Sequence, residues 1–285
     1  MSRYSLAAVI GCLYVAIAAW IASSTIVAAV AFGAVLIHSR TLGRGEPVDV
    51  RAYMRLAWKV GLTGLVSLLN YRADLYIVAA LLPAADLGLY TVAVSAAESL
   101  LVPTQVAALV TSPYIGSLEP PAAAALAARC VRNNMLAALV ICIALYALAP
   151  YVVAVFYGKA FLPLVPSLRV LLIGVVALSL GSPVSSFYTL KLAKPEIPLT
   201  LAGISAAICI GCAIVLVPQI GIMGAAIAST LAYVIGQGIG LWYFSRKSSI
   251  SWRTMLLPTA DDLRIYWEYV RRVALGATPT RAPIQ

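Results

Sequence analysis

An all-α, polytopic membrane helical bundle is the fold class that this sequence predicts, on three observations. Of its 285 residues 62% are hydrophobic and 11% charged, and the mean hydropathy is +0.97. Apolar runs longer than about 18 residues, the length a helix needs to cross a bilayer, recur along the chain. The links between those runs alternate between basic and neutral, as membrane loops do. The formal net charge of +10 therefore belongs to short loops between spans. It points to membrane lipids as the surroundings and away from nucleic acid.

About seven transmembrane helices follow in order: Ser5–Ile37, Val60–Leu82, Leu87–Ser112, Asn134–Phe156, Leu168–Tyr188, Ile197–Val217 and Ile222–Phe244. The first run would reach roughly 50 Å as a helix, against about 30 Å of hydrocarbon, so it tilts, overhangs or begins as a loop. It is too long for the apolar region of a signal peptide and lacks a clear basic start, so it should remain in the mature chain. The second and third spans are joined by Pro83 to Asp86, a link short enough to make them antiparallel neighbours. The fifth contains Pro183 among Ser179, Ser182, Ser185, Ser186 and Thr189. That cluster reads as a hinge, or as hydroxyls that satisfy the backbone group Pro183 leaves free.

Small residues recur every four positions in the last two spans: Gly203, Ala207 and Gly211, then Gly224, Ala228, Ala232, Gly236 and Gly240. Such ridges let helix backbones approach closely where lipid supplies no hydrophobic drive. Beyond the last span, "PTADDLRIYWEYVRRV" has acids at its start, bases at its end and Leu263, Tyr266, Trp267 and Val270 at helical spacing. These features suit an amphipathic interfacial helix.

Orientation follows from the links. Arg40, Arg44, Arg51, Arg55 and Lys59 precede the second span, Arg129 and Arg132 the fourth, and Lys191 and Lys194 the sixth. Arg246, Lys247, Arg253, Arg264, Arg271, Arg272 and Arg281 follow the seventh, whereas the other side carries Arg3 and Lys159. The positive-inside rule makes the C-terminus cytoplasmic.

Enzyme chemistry finds no support. There is a single histidine, no Gly-rich phosphate loop and no Ser, His and Asp set. Cys209 and Cys212 have C-x-x-C spacing but lie inside an apolar span, where a redox role lacks access. No cofactor and no metal site are expected.

The polar residues inside the spans are the candidate site. Arg72 and Asp74 lie within about 5 Å of the middle of the second span, and a charge at that depth costs roughly 2.5–3.5 kcal/mol on insertion scales. Residues two apart on a helix point about 200° apart, so Arg72 and Asp74 need different partners. Asn70 shares a face with Asp74. On the third span Thr91, Ser95, Glu98 and Gln105 fall at helical spacing as a polar stripe. Two readings stand: an ion pair of Arg72 with Glu98 or Asp74 that fixes the bundle, or a working site. In the second, Arg72 meets an anionic substrate group and a carboxylate exchanges a proton or cation. The candidates for substrate binding or ion coupling are Arg72, Asp74, Glu98, Asn70 and Gln105.

The order of "NYRADLYIVAALLPAADLGLYTVAVSAAESL", "APYVVAVFYGKAF" and "VPQIGIMGAAIASTLAYV" resembles the C-terminal half of polysaccharide (lipid-linked oligosaccharide) flippases. These belong to the multidrug, oligosaccharidyl-lipid and polysaccharide exporter superfamily. The matching pieces include Arg72-x-Asp74, Gly88-Leu89-Tyr90 with Glu98, Ala149-Pro150 with Gly158, and Pro218-x-x-Gly221-x-x-Gly224, over roughly Arg55 to Lys247. The resemblance implies helical lobes around a cavity that carry a polyprenyl-pyrophosphate-linked glycan across the inner membrane by alternating access.

Such flippases usually have twelve or more spans, so the chain is expected to be a C-terminal fragment. Residues 1–37 would be a transmembrane helix left from the N-terminal lobe and 38–59 a basic cytoplasmic linker. Residues 60–247 would be a six-helix C-terminal lobe, and 248–285 a cytoplasmic tail. The expected partners are the lipid-linked glycan, membrane lipids, and a separate N-terminal half or polysaccharide assembly proteins. The alternatives are a cation-coupled drug exporter of the same superfamily and a non-transporting scaffold subunit. A polymerase or ligase would need longer outer links, and a receptor a larger outer surface.

Overall fold

The computed structural model of the chain describes residues 3–41 and 50–257. The described residues contain helices and no strand, and the chain divides into two units, residues 1–53 and 54–285. The amphipathic segment Pro258–Val273, the rest of the tail and residues 42–49 of the expected linker lie outside the described residues.

In the first unit α1 spans Arg3–Thr41, 39 residues in one unbroken helix, about 58 Å at 1.5 Å per residue. It begins as helix rather than as a loop and continues past Ile37. Its apolar stretch Ile21–Ala34 exposes Ile26, Val27, Val30 and Phe32.

α2 spans Val50–Leu81, so the expected linker at 38–59 is helical from Val50 onward. The reason lies in "VRAYMRLAWK", which lacks Gly and Pro and is rich in helix-favouring Ala, Arg, Leu and Met. Pro83 separates it from α3, Ala84–Glu98, which leads into α4, Leu101–Ser117, across a 44° bend. Pro103 accounts for the bend. It has no N–H to give the Ser99 carbonyl, and that carbonyl instead accepts from the Val102 N–H at 3.3 Å. The polar stripe expected on one helix is thereby split, with Thr91, Ser95 and Glu98 before the bend and Gln105 after it.

α5, Pro120–Phe156, opens on two prolines in its first turn and runs 37 residues. It starts well before the expected Asn134, so Arg129 and Arg132 are helical. Gly158, at φ +92°, ends the chain's course beyond α5. A 3-10 segment, Lys159–Leu164, leads to α6, Val165–Leu178, then α7, Gly181–Ser186, and a π-helical turn, Phe187–Lys191. α8, Glu196–Ile220, and α9, Ile222–Ser248, are separated only by Gly221 at φ +61°. α10 is the short Trp252–Leu256. Among the described residues, five helices are long and apolar enough to cross a membrane, or six with the bent α3–α4 pair as one span. These are the candidate spans of a polytopic all-α membrane bundle, while the apolar stretch Ile21–Ala34 of α1 is shorter than a span.

At two of the prolines inside helices, Pro150 and Pro183, the carbonyl left without a backbone donor is answered by a polar side chain from a neighbouring helix. Pro150 frees the Tyr146 carbonyl, which accepts from Arg169 Nε at 3.3 Å while the Arg169 guanidinium lies 4.9 Å from the Tyr146 ring centre. Pro183 frees the Ser179 carbonyl, which accepts from Asn134 Nδ2 at 3.2 Å. The nearby hydroxyls do not supply that bond, since Ser179 Oγ donates to the Val176 carbonyl instead. Inside a membrane such substitutes are needed because no water reaches the backbone.

α6 and α9 form the centre of the second unit. They touch through Gly174, where an added Cβ would lie 2.8 Å from Thr230 Cα, and Thr230 Oγ1 donates to the Val170 carbonyl at 3.0 Å. On α9, Gly224, Ala228, Ala232, Gly236 and Gly240 are all buried, as their spacing predicts. On α8 the expected ridge is turned outward: Gly203 and Gly211 meet nothing within 4 Å. The face that packs is instead Ser205, Cys209, Ala213 and Val217. Periodicity identifies a stripe, but buried Ser205 and Cys209 decide which stripe is used.

Gly174→Ala should lower thermal stability in detergent by about 1–3 kcal/mol, because the clash is with backbone that cannot step aside. Gly203→Ala, which adds a methyl to open space and favours helix, should leave stability unchanged or slightly raised. Equal loss in the two variants would contradict this packing.

Candidate functional site

The three intramembrane charges occupy two separate settings. Arg72 Nη2 meets Glu98 Oε2 at 3.2 Å, linking α2 to the last residue of α3, and both side chains are only partly buried, at 39% and 27% exposure. Asp74 points the other way and is 1% exposed. Its Oδ2 accepts from the Tyr90 hydroxyl at 2.6 Å and from Ser229 Oγ at 2.7 Å, and its Oδ1 accepts from the Leu75 N–H at 2.8 Å. One carboxylate thus ties α2 to α3 and α9. A buried carboxylate with three donors is fully engaged.

A cavity of about 320 Å³ opens among α2, α4, α7, the π turn, α8 and α9. Its α2 wall is Thr63, Ser67, Asn70 and Tyr71, a polar stripe at spacings of four, three and one. The lining residues of α8 and α9 lie in the halves of those helices next to the basic links, whereas those of α2 lie near its middle and Leu101, Thr104 and Gln105 are at the start of α4. Some lining hydroxyls are committed: Thr63 Oγ1 donates to the carbonyls of Lys59 and Pro195, Ser205 Oγ to that of Ala232, and Ser186 Oγ pairs with Ser112 Oγ at 2.8 Å. Others are not. Among the described residues, the hydroxyls of Ser67, Ser182, Ser185 and Tyr188 and the amides of Asn70, Gln105 and Gln237 form no hydrogen bond within the protein. Asn70 Oδ1 and the Tyr188 hydroxyl are buried as well.

Two glycines shape this wall. An added Cβ at Gly181 would collide with the Gln237 amide, and one at Gly236 would lie 2.9 Å from Ser205 Cβ. The absent side chains are what let Gln237 and Ser205 sit where they do. No lining residue is acidic, basic or histidine, and no group of His, Cys, Asp or Glu among the described residues could hold a metal ion.

Of the residues singled out from sequence, Asn70 and Gln105 line the cavity, Arg72 and Glu98 pair, and Asp74 is sealed away from both. Neither Arg72 nor Glu98 lines the cavity, although Tyr71, next to Arg72 on α2, and Leu101, at the start of α4, do. Sequence reasoning missed Ser67, Tyr188 and Gln237 as lining residues, as well as Tyr90 as the partner of Asp74. The polar spacing Thr63, Ser67, Asn70 on α2 was a usable signal. Gln237, between two glycines of a packing ridge, carried none.

Comparison with curated proteins gives no match. Among solved structures, one match is an outward-facing conformation of a multidrug resistance MATE family transporter of the MOP superfamily. It has 18% identity and a TM-score of 0.52, and the match covers 74% of this chain and 49% of that chain. At that identity the likeness concerns the fold alone, a bundle of membrane-length helices, and this chain spans about half the length of the chain it matches. A family described as "Polysaccharide biosynthesis protein" matches residues 3–166, more than half of the sequence. By that match the protein belongs to the polysaccharide biosynthesis protein family.

Proposed function

We propose that this chain is one lobe of a transporter that moves polyprenyl-pyrophosphate-linked oligosaccharide across the inner membrane by alternating access, its C-terminus cytoplasmic. The observation that carries this reading is the set of uncommitted hydroxyls and amides around one cavity. Polar groups at membrane depth are expensive to leave without partners. A saccharide, whose hydroxyls both donate and accept, matches Ser, Asn, Gln and Tyr side chains that do the same. By the positive-inside rule the cavity belongs to the cytoplasmic half of the lobe. An organic cation would call for an acidic lining, which the described cavity residues lack. The facing surface would come from an N-terminal half or from assembly proteins.

In this reading the half-exposed Arg72 beside the cavity binds the pyrophosphate. Pyrophosphate and Glu98 then compete for one guanidinium. Glu98, displaced, requires a new counter-charge, and a proton or cation supplies it. That exchange would couple substrate entry to an ion gradient. Asp74, closed off and held by three donors, acts as the tie that keeps α2 on α3 and α9.

Arg72→Ala, at normal protein levels in the active assembly, should make lipid-linked oligosaccharide accumulate on the inner leaflet. Unchanged export, followed by leaflet-selective labelling in cells, would defeat the assignment. Glu98→Gln should leave transport in proteoliposomes indifferent to an imposed proton or sodium gradient. Asp74→Ala should instead lower thermal stability by about 2–4 kcal/mol, since it strands the hydroxyls of Tyr90 and Ser229 in the core.

A further inference from the structure

We infer that the cavity admits only uncharged saccharide units, so that the sugars next to the lipid pyrophosphate carry no carboxylate, phosphate or ammonium group. This rests on the transport reading above and concerns which glycans the site selects.

Every group in the cavity lining that could bond a ligand is a hydroxyl or a primary amide. Outside it Arg72 pairs with Glu98 at 3.2 Å, Lys59 with Glu196 at 3.6 Å and Asp74 bonds Tyr90 and Ser229, while Lys191, on the π turn, and Lys194 are not among the lining residues. A neutral sugar entering the cavity exchanges water for Ser67, Asn70, Ser182, Ser185 and Gln237 at little cost. A uronate entering the same space gives up its hydration and meets no cation, a loss that hydroxyl and amide donors repay only in part. Neutrality is thus a discriminating property of the cavity, because the penalty falls on charged competitors alone.

The site also has the marks of construction for a ligand. Gly181 and Gly236 leave room that seats Gln237 and Ser205 in the wall. The π turn brings Tyr188 into the same wall, its ring held by edge contacts with Phe187 and Phe244 at 5.6 and 6.3 Å while its hydroxyl stays without a protein partner. At about 320 Å³ the cavity is at the small end of ligand sites. It therefore fits a short stretch of sugar next to the lipid rather than a whole chain.

The test uses the full chain in nanodiscs and three probes: a short-chain polyprenyl pyrophosphate bearing a neutral N-acetylhexosamine disaccharide, the same lipid with a hexuronic acid as the second sugar, and the sugar-free lipid. The neutral probe should bind about tenfold or more tightly than the uronate probe. Tyr188→Phe and Asn70→Ala should each weaken the neutral probe by about three- to tenfold and leave the sugar-free lipid unchanged. Tyr188→Phe keeps the ring and its aromatic contacts, so loss of folding does not confuse the result. Equal affinity for neutral and uronate probes, or variants that leave neutral binding untouched, would overturn the inference while the transport reading stands. Failure of all three lipids to bind would overturn the transport reading and the inference with it.

Discussion

Inside a bilayer no water stands ready to satisfy a polar group, so every donor and acceptor must find its partner within the protein or wait for a ligand. The second unit is organised around that constraint. Pro150 and Pro183 each strip a helix of one hydrogen bond, and in both cases a polar side chain on a neighbouring helix reaches the stranded carbonyl: Arg169 to Tyr146, Asn134 to Ser179. Asp74 receives three donors. Against that thrift, a cavity wall of unengaged hydroxyls and amides is the exception, and an exception at membrane depth asks for a ligand.

The same constraint explains how α2 is attached. Its buried side chains are Asn70, Ala73, Asp74 and Val78, small or polar, while Leu62, Leu65, Leu68 and Leu69 are exposed. Apolar packing therefore does little to hold it. Polar ties at several depths do the work instead: Lys59 to Glu196 and Thr63 to the Pro195 carbonyl at the basic end, Arg72 to Glu98 beside the cavity, and Asp74 to Tyr90 and Ser229 beyond it. Ties of this kind can be exchanged one at a time, whereas an interdigitated apolar seam must open as a whole. The Lys59–Glu196 pair, exposed at the basic end, is thereby separate from the buried Asp74 cluster.

Much of this was legible in the sequence, and the failures have physical causes. Apolar runs and link charges gave the spans because bilayer thickness sets their length. The argument that Arg72 and Asp74 must point apart held because helical periodicity allows nothing else at a spacing of two. The boundaries at Val50 and Pro120 were hidden because basic residues mark a loop by charge but do not break a helix. The bend at Ser99 followed from Pro103, four residues on, and so broke a stripe that spacing alone made continuous. The outward turn of Gly203 and Gly211 was unreadable, since two small-residue stripes on α8 compete and only the partner helix chooses between them.

Charge and neutrality are segregated within a few residues of α2, and that segregation bears on mechanism. Were Arg72 to point into the cavity, its field would reach every ligand there and favour any anion, glycan or not. It pairs with Glu98 instead, and the α2 residues that line the cavity, Thr63, Ser67, Asn70 and Tyr71, are all uncharged. α2 thus carries a charged pair on one face and an uncharged cavity lining on another, set apart by the angle between successive residues. The spacing of two between Arg72 and Asp74 is what allows one helix to hold an ion pair with Glu98 and a buried tie to Tyr90 and Ser229 within one turn.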